Sequence, residues 1–107
     1  MNEIKHEKLR TLLKDLAAEF LQMETNRTAL ITVTDCKLAE NEKSAKIYVS
    51  VLPVDAEDSA LLFARRKRTD FRNYVKTRTR LKHIPVFDFL PDEGEKKRQR
   101  IDELLRE

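Results

Sequence analysis

The chain has 107 residues, with 22 Lys/Arg against 19 Asp/Glu and a net charge of +3. This length fits one domain with one modest core. A single glycine excludes barrels and sandwiches built on turn glycines, and any Gly-rich phosphate loop; a single cysteine excludes an internal disulfide or a cysteine metal cluster and fits a reducing compartment. No apolar run approaches the ~18 residues of a membrane span. The N-terminal Met1-Asn2-Glu3-Ile4-Lys5-His6 has no apolar signal core. A cytoplasmic protein with no membrane partner is expected.

Residues 4–24 repeat apolar side chains at helical spacing, through Leu9, Leu12, Leu13, Leu16, Ala17, Phe20 and Leu21. This predicts an amphipathic helix that ends near Thr25-Asn26, where Asn26 tolerates a left-handed cap. In residues 29–38, Ile31 and Val33 alternate with threonines, and the apolar phase then moves to Cys36 and Leu38. A one-residue slip in a strand predicts a bulge near Asp35. The polar residues 39–44 form a turn. Ala45, Ile47, Val49 and Val51 then mark one face of a second strand, antiparallel to the first and ended by Pro53.

Asp55 is the expected N-cap of a helix beginning at Ala56, anchored by Leu61, Leu62, Phe63 and Ala64. A basic helical stretch follows to about Leu81, with Phe71, Tyr74 and Val75 on its apolar side. Pro85 forces the chain out of helix. Residues 86–90 form a short strand with Phe87 and Phe89 on one face. Residues 92–107 are predicted as a peripheral, frayed helix with Ile101, Leu104 and Leu105 as its only anchors. The fold class is α+β in two layers: a three-stranded sheet with helices on one face, in one domain spanning 1–107.

Residues 65–82 carry nine Lys/Arg and one acid, Asp70, a net of +8. The other 89 residues sum to −5. Charged helix faces are usually only solvated. Here acids are almost absent, so i,i+4 ion pairs do not neutralise the face, and like charges at that spacing cost stability. A polyanion compensates this, and RNA or DNA is the first suspect. Arg65, Arg66, Arg68, Arg72, Lys76, Arg78, Arg80 and Lys82 are the candidate phosphate contacts, with Lys46 added from the exposed strand face. Tyr48 and Tyr74 are candidates for stacking on a base, and Tyr74 equally for the core.

Other chemistry-bearing residues read as structural. His6 and His83 lie in no ligand-spaced motif. Cys36 has core phase, Asp35 is expected to cap the bend, and nothing in the sequence brings Asp35 and Asp88 into one cleft. No catalytic constellation, cofactor motif or metal set emerges.

Five segments resemble the ribosome-binding factor A family. Leu16-Ala17-Ala18-Glu19-Phe20-Leu21 is similar to the end of that family's first helix, and Leu30-Ile31-Thr32-Val33-Thr34-Asp35 to its first strand. Ser44-Ala45-Lys46-Ile47-Tyr48-Val49-Ser50-Val51 resembles its second strand, typically His-Ala-Lys-Val-Tyr-Val. Arg80-Leu81-Lys82-His83-Ile84-Pro85-Val86-Phe87-Asp88-Phe89 resembles its Arg-Leu-Arg-x-x-Pro-x-Leu-x-Phe element, and Arg100-Ile101-Asp102-Glu103-Leu104-Leu105 its tail. In order and spacing the matches span nearly the whole chain. The resemblance implies a type II KH-like fold. It also implies a bacterial, non-enzymatic factor that binds 16S rRNA of the immature small (30S) ribosomal subunit and assists its maturation and rRNA processing. A monomer without cofactors is expected.

The family replaces the Gly-x-x-Gly loop of KH domains with an Ala-x-Gly kink in the helical region. This chain has Arg68-Thr69-Asp70 there, one residue fewer between Phe71 and Pro85, and Gly94 and Arg98 where Ser and Gly are common. The kink is expected to survive by another device: one helix ends near Arg68, and Thr69 or Asp70 caps a second over residues 71–79. Rival readings are a protein–protein adaptor docking an acidic partner, a general nucleic-acid binder, or a DNA-binding regulator without helix-turn-helix spacing.

Overall fold

The computed structural model describes residues 3–25 and 28–106. The expected Asn26 cap lies outside the described residues. Helix α1 spans Glu3–Glu24 and buries Leu13, Leu16, Ala17, Phe20 and Leu21, one continuous stripe. Leu12 falls off that stripe and is exposed.

Strands β1 (Leu30–Leu38) and β2 (Ser44–Leu52) pair antiparallel. The register passes from Val33–Val49 to Asp35–Tyr48, so Thr34 is the extra residue of a bulge. The bulge brings Cys36 to the core with Ile31 and Val33 packed beside it. Asp35 Oδ1 accepts the Cys36 N–H at 2.8 Å, as a residue capping a bend does. Strand β3 (Val86–Pro91) pairs parallel to β2, giving the order β1-β2-β3. A parallel neighbour requires a crossover, and helices α2 (Glu57–Arg66) and α3 (Arg68–Arg78) supply it. Ala45, Ile47, Val49, Val51, Phe87 and Phe89 face α1–α3 and are buried. Phe71 of α3 is fully buried, with ring centroids 4.6 Å from Phe87, 5.3 Å from Phe20 and 5.9 Å from Phe89.

Asp55 does not cap α2. It sits in a 3-10 turn, Val54–Ala56, that runs straight into the helix. Backbone bonds from Ala56 N–H to Pro53 and from Glu57 N–H to Val54 already occupy amides that a cap would serve. The buried stripe of α2 is Ala60, Leu61 and Ala64, and Leu62 points outward, 53% exposed. The basic helix stops at Arg78, short of Leu81. Thr79 turns extended, and its hydroxyl donates to the Val75 carbonyl at 2.9 Å.

Helix α4 (Glu93–Leu105) is capped by Asp92, whose Oδ1 accepts the Glu95 N–H at 3.0 Å. Asp92 Oδ2 accepts the Thr34 hydroxyl at 2.5 Å, and Lys96 Nζ meets Glu57 Oε1 at 3.1 Å. The base of α4 is thereby fastened to the β1 bulge and the start of α2. Its supposed anchors Ile101, Leu104 and Leu105 are all more than half exposed. The radius of gyration, 14.8 Å, exceeds the ~13 Å of a compact chain this long, as a projecting helix requires.

Phe71→Ala is expected to destabilise the fold by about 3–5 kcal/mol in urea unfolding, and Leu62→Ala by no more than ~0.5 kcal/mol. The Thr34 hydroxyl, then the Glu95 N–H, hold the Asp92 carboxyl below the usual carboxylate range. That stabilisation is present above the ordinary carboxylate pKa and lost as pH falls through the lowered one. Thr34→Val should therefore move the Asp92 titration upward by carboxyl NMR and shift acid unfolding to higher pH; an unmoved titration contradicts the assignment.

Candidate nucleic-acid interface

The helical region breaks at Lys67, one residue before the expected end and without either expected cap. Lys67 has φ −92° and ψ 6°, and its N–H bonds back three residues to Ala64. No side chain caps the start of α3. The break is closed from the other side: Arg68 Nε donates to the Arg65 carbonyl at 3.1 Å, one of the orphan carbonyls at the end of α2. Asp70 lies in the positive first turn of α3, 3.8 Å from Lys67 Nζ, so its charge is placed as expected although it caps nothing.

The break sorts the cations of the 65–82 window into groups. Arg65 and Arg68 reach the β3 edge. Arg65 Nε donates to the Phe89 carbonyl at 3.1 Å and lies 3.5 Å from Asp88 Oδ1; Arg68 lies 3.6 Å from the same oxygen. Lys46 is exposed and pairs with Asp88 in the β2–β3 register. Lys67 is held by Glu24 at 3.9 Å. Three of the window's cations are thus paired with two acids distant in sequence, Asp88 and Glu24, which i,i+4 spacing does not reveal; the Arg65–Asp88–Arg68 cluster keeps a net positive charge.

Arg72 and Lys76, at i,i+4 on α3, form a second group with Lys82. They line one groove with Asn73, Leu81, His83 and Ile84. Buried Pro85 pins the loop before β3 and so fixes the far wall. Arg78 stacks 4.7 Å from the Tyr74 ring; Tyr74 packs on Phe20 and donates to Glu19 at 3.1 Å. Partial burial, then the Glu19 bond, push the Tyr74 pKa above its ordinary value. Tyr74 therefore serves the α1–α3 contact. Among the described residues, no carboxylate lies within ion-pair distance of Arg66, Arg72, Lys76, Arg80 or Lys82.

Cys36 is buried, and burial, opposed by the Arg10 charge, pushes its thiol up to about 11. It stays protonated and inert near neutrality. His6 Nδ1 meets Glu42 at 3.1 Å, tying α1 to the hairpin turn; His83 lines the α3 groove. No cluster of three or more His, Cys, Asp or Glu among the described residues has metal-binding geometry, and no described helix is long and apolar enough to cross a membrane.

The element order is that of a type II KH-like domain, with a mixed sheet and a cationic helix pair at one edge. A family model described as Ribosome-binding factor A matches residues 5–105. The chain belongs to the ribosome-binding factor A family. Among curated relatives, ribosome-binding factor A of Thermodesulfovibrio yellowstonii is 35% identical over 103 residues, covering 94% of this chain and 87% of that protein. That of Chlorobium limicola is 32% identical over 108 residues, covering 97% and 91%. The crystal structure of ribosome-binding factor A from Thermus thermophilus superposes with a TM-score of 0.73 at 26% identity, over 79% of this chain and 92% of that one. A Thermus thermophilus RbfA homology model, fitted into a cryo-EM map of a 30S–RbfA complex, superposes with a TM-score of 0.71 at 25% identity, over 80% and 93%. The KH-like α+β architecture of this family is therefore the fold of this chain.

Arg65→Ala should lower stability by about 1 kcal/mol in urea unfolding, because the Phe89 carbonyl and Asp88 lose a partner at a half-exposed edge. Arg66→Ala should be neutral within ~0.5 kcal/mol. Asp70→Ala should cost about 0.3–1 kcal/mol at low ionic strength, a loss that added salt removes, since the residue acts through the helix dipole.

Proposed function

We propose that this protein binds 16S rRNA of the immature small (30S) ribosomal subunit and assists its maturation and rRNA processing in the cytoplasm, as a binding factor and not a catalyst. Membership of the ribosome-binding factor A family, and the 30S complex of its Thermus relative, support the ribosomal partner. The observation that carries the RNA reading is the groove that Arg72, Lys76 and Lys82 line together, with no carboxylate among the described residues within ion-pair distance of them. Two cations on helix α3 and one on the loop pinned by Pro85, unpaired among the described residues, suit a phosphodiester backbone. The guanidinium forks onto phosphate oxygens, and the two ammonium groups act as point charges. Arg66 and Arg80 extend the cationic surface. Arg65, Arg68 and Lys46 continue it toward the sheet edge, and Arg78 toward α1.

Salt-dependent binding to 16S rRNA and to isolated 30S subunits tests the proposal. Log affinity should fall linearly with log salt, and Arg72→Glu with Lys76→Glu should weaken binding and reduce the slope by about 1 per lost contact. In a sucrose gradient of cell lysate the protein should migrate with free small subunits. Unchanged affinity and slope in the double variant, or absence from every ribosomal fraction, would point to an acidic protein partner instead.

A further inference from the structure

The sheet face opposite α1–α3 is covered by none of them. Its central strand presents Lys46 and Tyr48; β1 adds Asp35 and Lys37, and β3 adds Asp88 and Leu90. The register sets Lys37, Lys46 and Asp88 in one row and Asp35, Tyr48 and Leu90 in the next. By sequence this face holds two cations and two acids. The fold changes that balance. Arg10 comes round the β1 edge from α1 to bond Asp35 at 3.2 Å. Arg65 and Arg68 come round the β3 edge to Asp88, at 3.5 and 3.6 Å. Both carboxylates are taken by arginines from the other layer. Lys37 and Lys46 pair with no carboxylate among the described residues.

In the middle of this cationic face sits a half-exposed aromatic ring. Lys37 Nζ lies 5.2 Å from the Tyr48 ring centroid, and the Tyr48 hydroxyl donates to no described residue. A flat ring on a rigid central strand, with the exposed Lys37 side chain over it able to swing onto a flanking phosphate and Lys46 one side-chain row (~7 Å) along the same strand, suits a splayed nucleotide: a π-face for the base and cations for the phosphates. Duplex RNA keeps its bases stacked and cannot use the ring.

We propose that the open sheet face binds unpaired RNA, with Tyr48 as the base-stacking platform and Lys37 and Lys46 on the adjacent phosphates. This rests on the RNA-binding reading above and adds the strand state of the ligand. The Arg65–Asp88–Arg68 cluster at the β3 edge joins this face to the α3 groove, so one strand can pass from one to the other.

The test uses the full chain with a fluorescently labelled single-stranded oligouridine and a blunt RNA duplex, followed by anisotropy at several salt concentrations. Wild type should prefer the single strand. Tyr48→Ala should weaken single-strand binding about 5- to 150-fold with little change in salt slope, because stacking releases no counterions. Tyr48→Phe should retain wild-type affinity. Lys37→Ala with Lys46→Ala should lower the slope by about 1.4, at ~0.7 per contact on a single strand. Thermal unfolding of each variant separates misfolding from lost contacts, and the lysine pair, being fully on the surface, carries the test if Tyr48→Ala unfolds. Single-strand affinity unchanged in folded Tyr48→Ala, or salt slope unchanged in the lysine variant, overturns this proposal alone. So does an equal loss for a polyglutamate peptide, which would make the face a general acidic docking site. A wild-type protein that binds no RNA overturns both this proposal and the proposed function.

Discussion

The packing of Phe71 against three other phenylalanines holds the molecule together. Its ring touches Phe20 of α1 and Phe87 and Phe89 of β3, so one side chain joins both layers and the crossover. Tilted rings at these spacings interact favourably beyond the area they bury. The consequence for the surface is direct. With Phe71 and Val75 fixed inward, Arg72 and Lys76 are presented on a rigid scaffold against the loop pinned by Pro85. A flexible basic tail would have the same charge without the groove.

Carboxylates decide which of the cations are available. Asp88 takes Arg65 and Arg68, Asp35 takes Arg10, and Glu24 and Asp70 share Lys67. These pairs are partly exposed, so each contributes little to stability. Their effect is on position: they draw arginines round both edges of the sheet and neutralise acids that would otherwise repel a phosphate. Among the described residues, Arg72, Lys76 and Lys82 in the α3 groove and Lys37 and Lys46 on the open sheet face have no carboxylate within ion-pair distance.

The helix break shows one structural need met by different chemistry. The resemblance implies a small residue and glycine at the kink; this chain has none there. Lys67 adopts the turn, and the Arg68 side chain supplies the donor that the end of α2 lacks. The same substitution of means appears at the bulge, where Thr34 and Asp35 bond outward to Asp92 and Arg10 and so fasten α4 and α1 to one irregularity in β1.

Local periodicity determined the elements. Alternation at Ala45, Ile47 and Val49, and at Phe87 and Phe89, fixed two strands and their buried faces, and the slip after Val33 located the bulge, because side-chain direction in a strand depends only on residue parity. The +8 window and the family motifs were likewise legible, since charge count and residue order need no coordinates. What failed at that level depended on competition or distance. Asp55 is a good cap that lost to backbone bonds of a 3-10 turn, and Thr69 and Asp70 lost to a side chain capping from the other end. Ile101, Leu104 and Leu105 have core chemistry, but among the described residues the ties of their helix are at its base. The division of the cations was decided by tertiary structure alone, because Asp88, 23 residues from Arg65 in the chain, comes beside it only when β3 pairs parallel to β2.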